Sequence, residues 1–154
     1  MISICPDYDL EASVADDLVG LYFKHTQTAL PSLFHPGQFK AAVHDGSIPT
    51  ILFLGAAGLS ARFSSHASFA ETDPWDRGRP FAEEAERLLN LHEVSLVTIQ
   101  ACMLLAANFV ANGEAQTECL YLTVACRIAM LLDLPKLELA GTAVDREVHC
   151  RGTF

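Results

Sequence analysis

The sequence predicts an all-α fold of stacked antiparallel helix pairs, about six to seven helices forming a helical bundle or a short solenoid-like array. Three observations carry this expectation. Apolar residues recur at helical spacing, and no segment shows period-two alternation or a heptad run. Gly, Pro, Asn and Asp punctuate the chain between these runs. Hydrophobic residues make up 51% of the chain and charged residues 19%, which supplies enough apolar surface to offset chain entropy around a real core. A length of 154 residues suits one domain or part of a larger one.

Residues 1–10 read as an N-terminal tail. Glu11 to Leu30 then places Val14, Leu18, Leu21, Tyr22 and Ala29 near one stripe, with Asp16, Asp17 and Lys24 on a wetter face. Pro31 ends it. His35-Pro36-Gly37 reads as a turn, and Gln38 to Val43 as a short helix closed by Asp45-Gly46. Ser47 is the expected N-cap of an almost wholly apolar helix, Ile48 to Ser64, with Pro49 in its first turn. Gly55 and Gly58 lie inside it, each costing up to about 1 kcal/mol against Ala. A close helix–helix approach is the expected compensation.

His66 to Pro80 is rich in breakers and reads as an exposed loop joining two parts of one domain. Phe81 to Leu91 is amphipathic, with Phe81, Ala85, Leu88 and Leu89 inward and Glu83, Glu84 and Arg87 outward. Ser95 caps a helix that runs to about Asn112, where Asn112-Gly113 supplies a left-handed ending. Glu114 to Leu132 follows after a very short connection, so the two form an antiparallel hairpin. Asp133-Leu134-Pro135 breaks it, and Asp145 to His149 starts a last helix.

Composition excludes several functions. Ten basic residues against nineteen acidic ones give a net charge of -9. Direct binding to nucleic acid or to anionic membranes draws on Lys and Arg, so neither is expected. The uncharged stretches Ile48–Ala61 and Leu96–Ala111 fall short of a membrane span and read as buried core helices. The cysteines, Cys5, Cys102, Cys119, Cys126 and Cys150, are odd in number with no secretory signal before them, which predicts thiols in a reducing compartment.

No motif carries chemistry. His25, His35, His44, His66, His92 and His149 lack partners at metal-ligand spacing. Cys119 and Cys126, seven apart on one helix face, read as buried apolar thiols. Cys102 sits in an apolar run, the opposite of the setting that makes a thiolate reactive. Gly55-Ala56-Ala57-Gly58 lacks the Lys-Ser/Thr of a phosphate loop and reads as small residues at a helix crossing. Glu83, Glu84 and Glu86 read as a solvated acidic face. Ser64-Ser65-His66 reads as a polar helix end, Arg62 as a group closing the last carbonyls of its helix, and Arg127 as a cation paired with a carboxylate or reaching to the surface. No residue is assigned as catalytic or metal-binding, a cofactor site is left open, and an enzyme is not expected.

Four segments, in order, carry a resemblance. They are Leu18-Val19-Gly20-Leu21-Tyr22-Phe23-Lys24-His25 with Leu33-Phe34-His35-Pro36-Gly37-Gln38-Phe39; Ala57 to His66 around Ala61-Arg62-Phe63-Ser64; Ser95 to Leu105 around Gln100; and Tyr121 to Leu134 around Ala125-Cys126-Arg127-Ile128-Ala129. Asp145 to Arg151 follows them. Together they resemble the fungal transcription-factor regulatory domain, or middle homology region, of the fungal binuclear zinc-cluster regulators. The sequence departs from that pattern at Leu134-Pro135, and it holds no six-cysteine zinc cluster. The resemblance implies that residues 11–154 are the N-terminal part of a longer regulatory domain, truncated at its C-terminus. It implies a nuclear location, and DNA and zinc binding through a separate domain absent from this chain. The expected partners are other proteins or a second copy, with a small-molecule effector as a further option. A stand-alone helical adaptor or oligomerisation module is the alternative.

Overall fold

The computed structural model describes residues 2–5, 8–26 and 33–134. Two short strands open it. β1 (Ile2–Cys5) pairs antiparallel with β2 (Tyr8–Leu10), aligning Ile2 with Leu10 and Ser3 with Asp9. Residues 2–5 and 8–10, read as part of a tail, are therefore paired strands. Ile2-Ser3-Ile4-Cys5 alternates over too few residues to stand out in the sequence.

Six α-helices follow, in agreement with the expected all-α class: α1 (Ala12–His25), α2 (Pro36–Asp45), α3 (Thr50–Ser60), α4 (Arg79–Leu88), α5 (Leu96–Ala111) and α6 (Ala115–Leu131). Single 3₁₀ turns at Ala61–Phe63 and Ala67–Phe69 link α3 to the loop before α4. The helix expected at Asp145 to His149 lies outside the described residues, as do 27–32.

Local chemistry explains the boundaries, and several differ from expectation. α1 ends at His25 rather than Leu30, with Lys24 and His25 in its last turn, where cations suit the helix dipole. Pro36 is not in a turn: it opens α2 as a first-turn proline, its missing N–H costing nothing there. Gly46 closes α2 at φ 76°, a conformation glycine adopts without strain. Ser47 does not cap α3. Its backbone N–H donates to Asp45 Oδ1 at 2.9 Å, and the helix starts at Thr50, after Pro49. α4 begins at Arg79, inside the stretch read as loop. The Ser95 hydroxyl oxygen accepts from the Thr98 N–H at 3.2 Å, the N-cap expected there. Gly113 ends α5 at φ 82°.

The core forms where α3 is enclosed by α1, α4 and α5. Every residue from Leu52 to Ser60 is buried. α5 contributes Leu104, Leu105 and Ala106 from the other side. Burying each such leucine is worth about 1.5–3 kcal/mol. A second, small cluster of Ile99, Cys102, Ala125 and Ile128 joins α5 to α6. No single helix among the described residues is long and apolar enough to cross a membrane, and α2 meets the α3 segment at 116°.

The two interior glycines have the compensation expected of them. A Cβ on Gly55 would lie 2.9 Å from Leu104 Cβ, and one on Gly58 would lie 2.6 Å from Asn108 Oδ1. A third glycine, Gly78, is tighter still: its Cβ would stand 2.0 Å from the Gly58 carbonyl oxygen. The loop before α4 is thus pinned to α3 by backbone contact at its end, although Glu71 to Asp76 are exposed as read.

Candidate functional site

The buried polar groups tie together the segments singled out in the sequence. Ser64 donates its hydroxyl to Asp17 Oδ2, linking the end of α3 to α1. His25 on α1 stacks on Phe63 with ring centroids 4.3 Å apart. Gln100 Nε2 on α5 donates to the Leu33 carbonyl at 3.2 Å, and Gln100 Oε1 is buried without a partner. Asn108 Nδ2 donates to the Gly55 carbonyl at 3.0 Å and to the Leu104 carbonyl at 2.9 Å. Tyr22, Phe34 and Phe39 form one aromatic cluster between α1 and α2. Burial pushes the Tyr22 hydroxyl far above its ordinary value. Cys102 packs against Ala125 and Ile128, so the third and fourth segments share the second cluster.

α6 presents a different surface. Of its seventeen residues only Ala125 and Ile128 are buried. Its outward side carries Cys119, Leu122, Thr123, Cys126, Arg127 and Met130 around a shallow groove. Leu120 is 68% exposed and Met130 62% exposed. Exposed apolar residues scattered singly are ordinary, but a strip along one helix marks a contact surface. The inward edge is held by Tyr121, which stacks on Phe109 at 5.4 Å and donates to Glu86 Oε1 at 2.6 Å. Burial, and then the Glu86 carboxylate, push the Tyr121 hydroxyl upward.

The residues weighed for chemistry fall as follows. Cys119 and Cys126 are exposed, contrary to the expectation of buried thiols, because among the described residues α6 packs on one side only. Cys102 is buried, and desolvation pushes its thiol up. The side chains of Cys5 and Cys150 lie outside the described residues. Among the described residues no group of three or more His, Cys, Asp or Glu side chains could hold a metal ion. His44 Nε2 lies 3.3 Å from Asp16 Oδ1 on the surface. His66 Nδ1 accepts from the Ser68 N–H at 3.2 Å, so Ser64-Ser65-His66 is the polar helix end it was read as. His149 is outside the described residues.

The acidic cluster divides its work. Glu84 pairs with Arg87, whose hydrogen bonds hold the carboxyl low, Glu83 is exposed, and Glu86 reaches α6 through Tyr121. That last link had no signal in the sequence, since 35 positions separate the two residues. Arg62 does not close the α3 carbonyls. Its guanidinium sits 5.3 Å from the Trp75 ring centroid. Arg77 instead ties the loop before α4 to the segment after α3, donating to the Ser64 carbonyl at 2.7 Å and the Thr72 carbonyl at 2.9 Å. Arg127 is exposed, with no carboxylate within ion-pair distance among the described residues.

Over 105 residues the chain is 29% identical to a Schizosaccharomyces pombe protein described as an uncharacterized transcriptional regulatory protein. The matched stretch is 67% of this chain and 11% of that protein, so the chain spans a small part of the relative's length. No family model matches the chain. No solved structure matches it.

Proposed function

We propose that this chain is the regulatory, non-DNA-contacting helical domain of a fungal zinc-cluster transcription regulator, the middle homology region, acting in the nucleus. One observation carries the reading. The four segments that resemble that region are neighbours in space, joined through Ser64–Asp17, His25–Phe63, Gln100–Leu33 and the Cys102–Ile128 cluster. The similarity to the fission-yeast regulator agrees with it. The domain acts as a scaffold that restrains or exposes neighbouring segments through protein contacts, with a small molecule as a further effector. It performs no catalysis and holds no cofactor. DNA and zinc are bound by a separate domain of the regulator, and the net charge of -9 suits that division.

The test is a reporter assay in yeast. The chain is inserted between a heterologous DNA-binding module and an activation segment. A change of at least threefold in output, lost on disrupting the core with Leu104→Asp, is the expected result. Unchanged output sinks the regulatory reading. Retardation of DNA by the isolated chain at physiological salt sinks the division of labour.

A second reading, a stand-alone helical adaptor or oligomerisation module, is favoured by the exposed strip on α6. Light scattering after size exclusion separates the two, since this reading requires a stable oligomer.

A further inference from the structure

The open face of α6 carries two exposed thiols, Cys119 and Cys126, in mirror positions. Seven residues fall about 20° short of two full helical turns, so both thiols point the same way, about 10 Å apart along the axis. Leu122 and Thr123 lie midway between them, and Met130 continues the same groove. The face is also free of the chain's acidic excess. Glu118 and Arg127 are the only charged residues from Ala115 to Leu131, so α6 is neutral while the whole chain carries -9.

We propose that this face pairs with the same face of a second copy, the two α6 helices running antiparallel about a two-fold axis between Leu122 and Thr123. That axis sets Cys119 level with the partner's Cys126, Leu122 with the partner's Thr123, and Met130 with the partner's Ala115, so each large side chain meets a small one. Charge selects the direction. Run antiparallel, the end of each helix that carries Glu118 lies beside the end of the other that carries Arg127. Run parallel, like charge would sit beside like. Away from the helix, the acidic excess of the two copies is screened over about 8 Å at physiological salt. Packed helices stand about 8–10 Å apart with Cα atoms about 2.3 Å from each axis, which brings facing Cα atoms to roughly 4–5 Å. That is at the short end of the span a disulfide bridges. One helix face is narrower than the roughly 800 Å² per partner of a standard interface, so the pairing is weak and concentration-dependent. It is a separate claim from the stable oligomer of the second reading, and it stands or falls apart from the transcriptional role.

The test is thiol trapping in the full 154-residue chain carrying Cys5→Ser and Cys150→Ser, which leaves the two α6 thiols and buried Cys102. Diamide takes up the two hydrogens lost as two thiols join. It is expected to convert this parent chain to a disulfide-linked dimer, read by intact mass without reductant, and faster as protein concentration rises. Cys119→Ser or Cys126→Ser alone is expected to lower the dimer yield at least about tenfold, because the remaining thiol then lies about 10 Å from its own copy. Dimer kept by either single variant would overturn the antiparallel register. No dimer in the parent chain would overturn the pairing, whether its α6 thiols alkylate freely, which leaves the face open, or resist alkylation, which means the chain covers the face itself. Met130→Glu touches no thiol and is expected to lower trapping by a similar factor, with Cys102 still unalkylated as the sign of an intact fold. If that variant exposes Cys102, Thr123→Glu takes its place under the same criterion. Trapping unchanged by the glutamate marks random collision and overturns this interface; a stable oligomer by light scattering that also survives it leaves the second reading intact.

Discussion

α3 and α6 are both rich in apolar residues, yet they meet opposite fates. α3 is buried from Leu52 to Ser60, whereas α6 buries only Ala125 and Ile128. The difference lies in their neighbours. α3 is surrounded by α1, α4 and α5 and uses glycines to let them approach. Among the described residues α6 leans on α5 and leaves its other side open. Apolar content therefore sets how much surface a helix can bury, and the number of packed layers sets how much it does bury.

The largest effects break that contrast directly. Leu104→Ala, at the α3–α5 contact, is expected to cost about 4 kcal/mol by loss of transfer energy and creation of a cavity. Leu120→Ala on the open face is expected to stay within about 0.5 kcal/mol. Chemical denaturation of both variants measures the gap, and equal costs would contradict the difference in burial. Gly78→Ala comes next. The added methyl would stand 2.0 Å from the Gly58 oxygen, so backbone must move, at about 3 kcal/mol. The same denaturation series reads this cost, and an unchanged midpoint would contradict the close approach.

Asn108→Ala sharpens the polar side of the same contact. It deprives the buried Gly55 carbonyl of its side-chain donor, a loss of about 2 kcal/mol. The smallest effect depends on pH. Burial raises the Tyr22 hydroxyl, so the unfolded chain loses that proton first as the solution becomes alkaline. The stability it contributes is complete below about pH 10, the ordinary tyrosine value, and falls as pH rises beyond it. Tyr121 acts in the same direction, with a smaller share because its ring is half-open to solvent. The urea midpoint followed from pH 9 to 11 is expected to fall, and Tyr22→Phe to flatten that fall more than Tyr121→Phe does.

Much of the fold is legible in the sequence. The uncharged stretches Ile48–Ala61 and Leu96–Ala111 mark the two central helices, Gly55 and Gly58 mark their crossing, and Ser95 and Asn112-Gly113 mark the limits of α5. These are local or periodic signals. What escapes is set by tertiary neighbours. Cys119 and Cys126 share a helix face, but seven-residue spacing does not say whether that face has a partner. Arg62 ends an apolar run in the manner of a helix-closing cation, yet Trp75, thirteen positions later, takes its guanidinium instead. Gly78 lies in a breaker-rich stretch that reads as solvent-exposed, and nothing local announces a backbone contact with Gly58. The four-segment pattern locates the candidate region, while the strip on α6 is visible only once α5 and α6 are packed.

The contact between Gly78 and Gly58 has a consequence for mutational scanning. A saturation library of this chain would show an island of near-total intolerance at Gly78, in a surface loop far from any reactive group. Nearly every other residue would fail there, regardless of charge or polarity, since the obstacle is the first carbon of the side chain. Such a profile is easily mistaken for that of a functional residue. Here its distinguishing mark is indifference to chemistry: alanine would score as badly as aspartate.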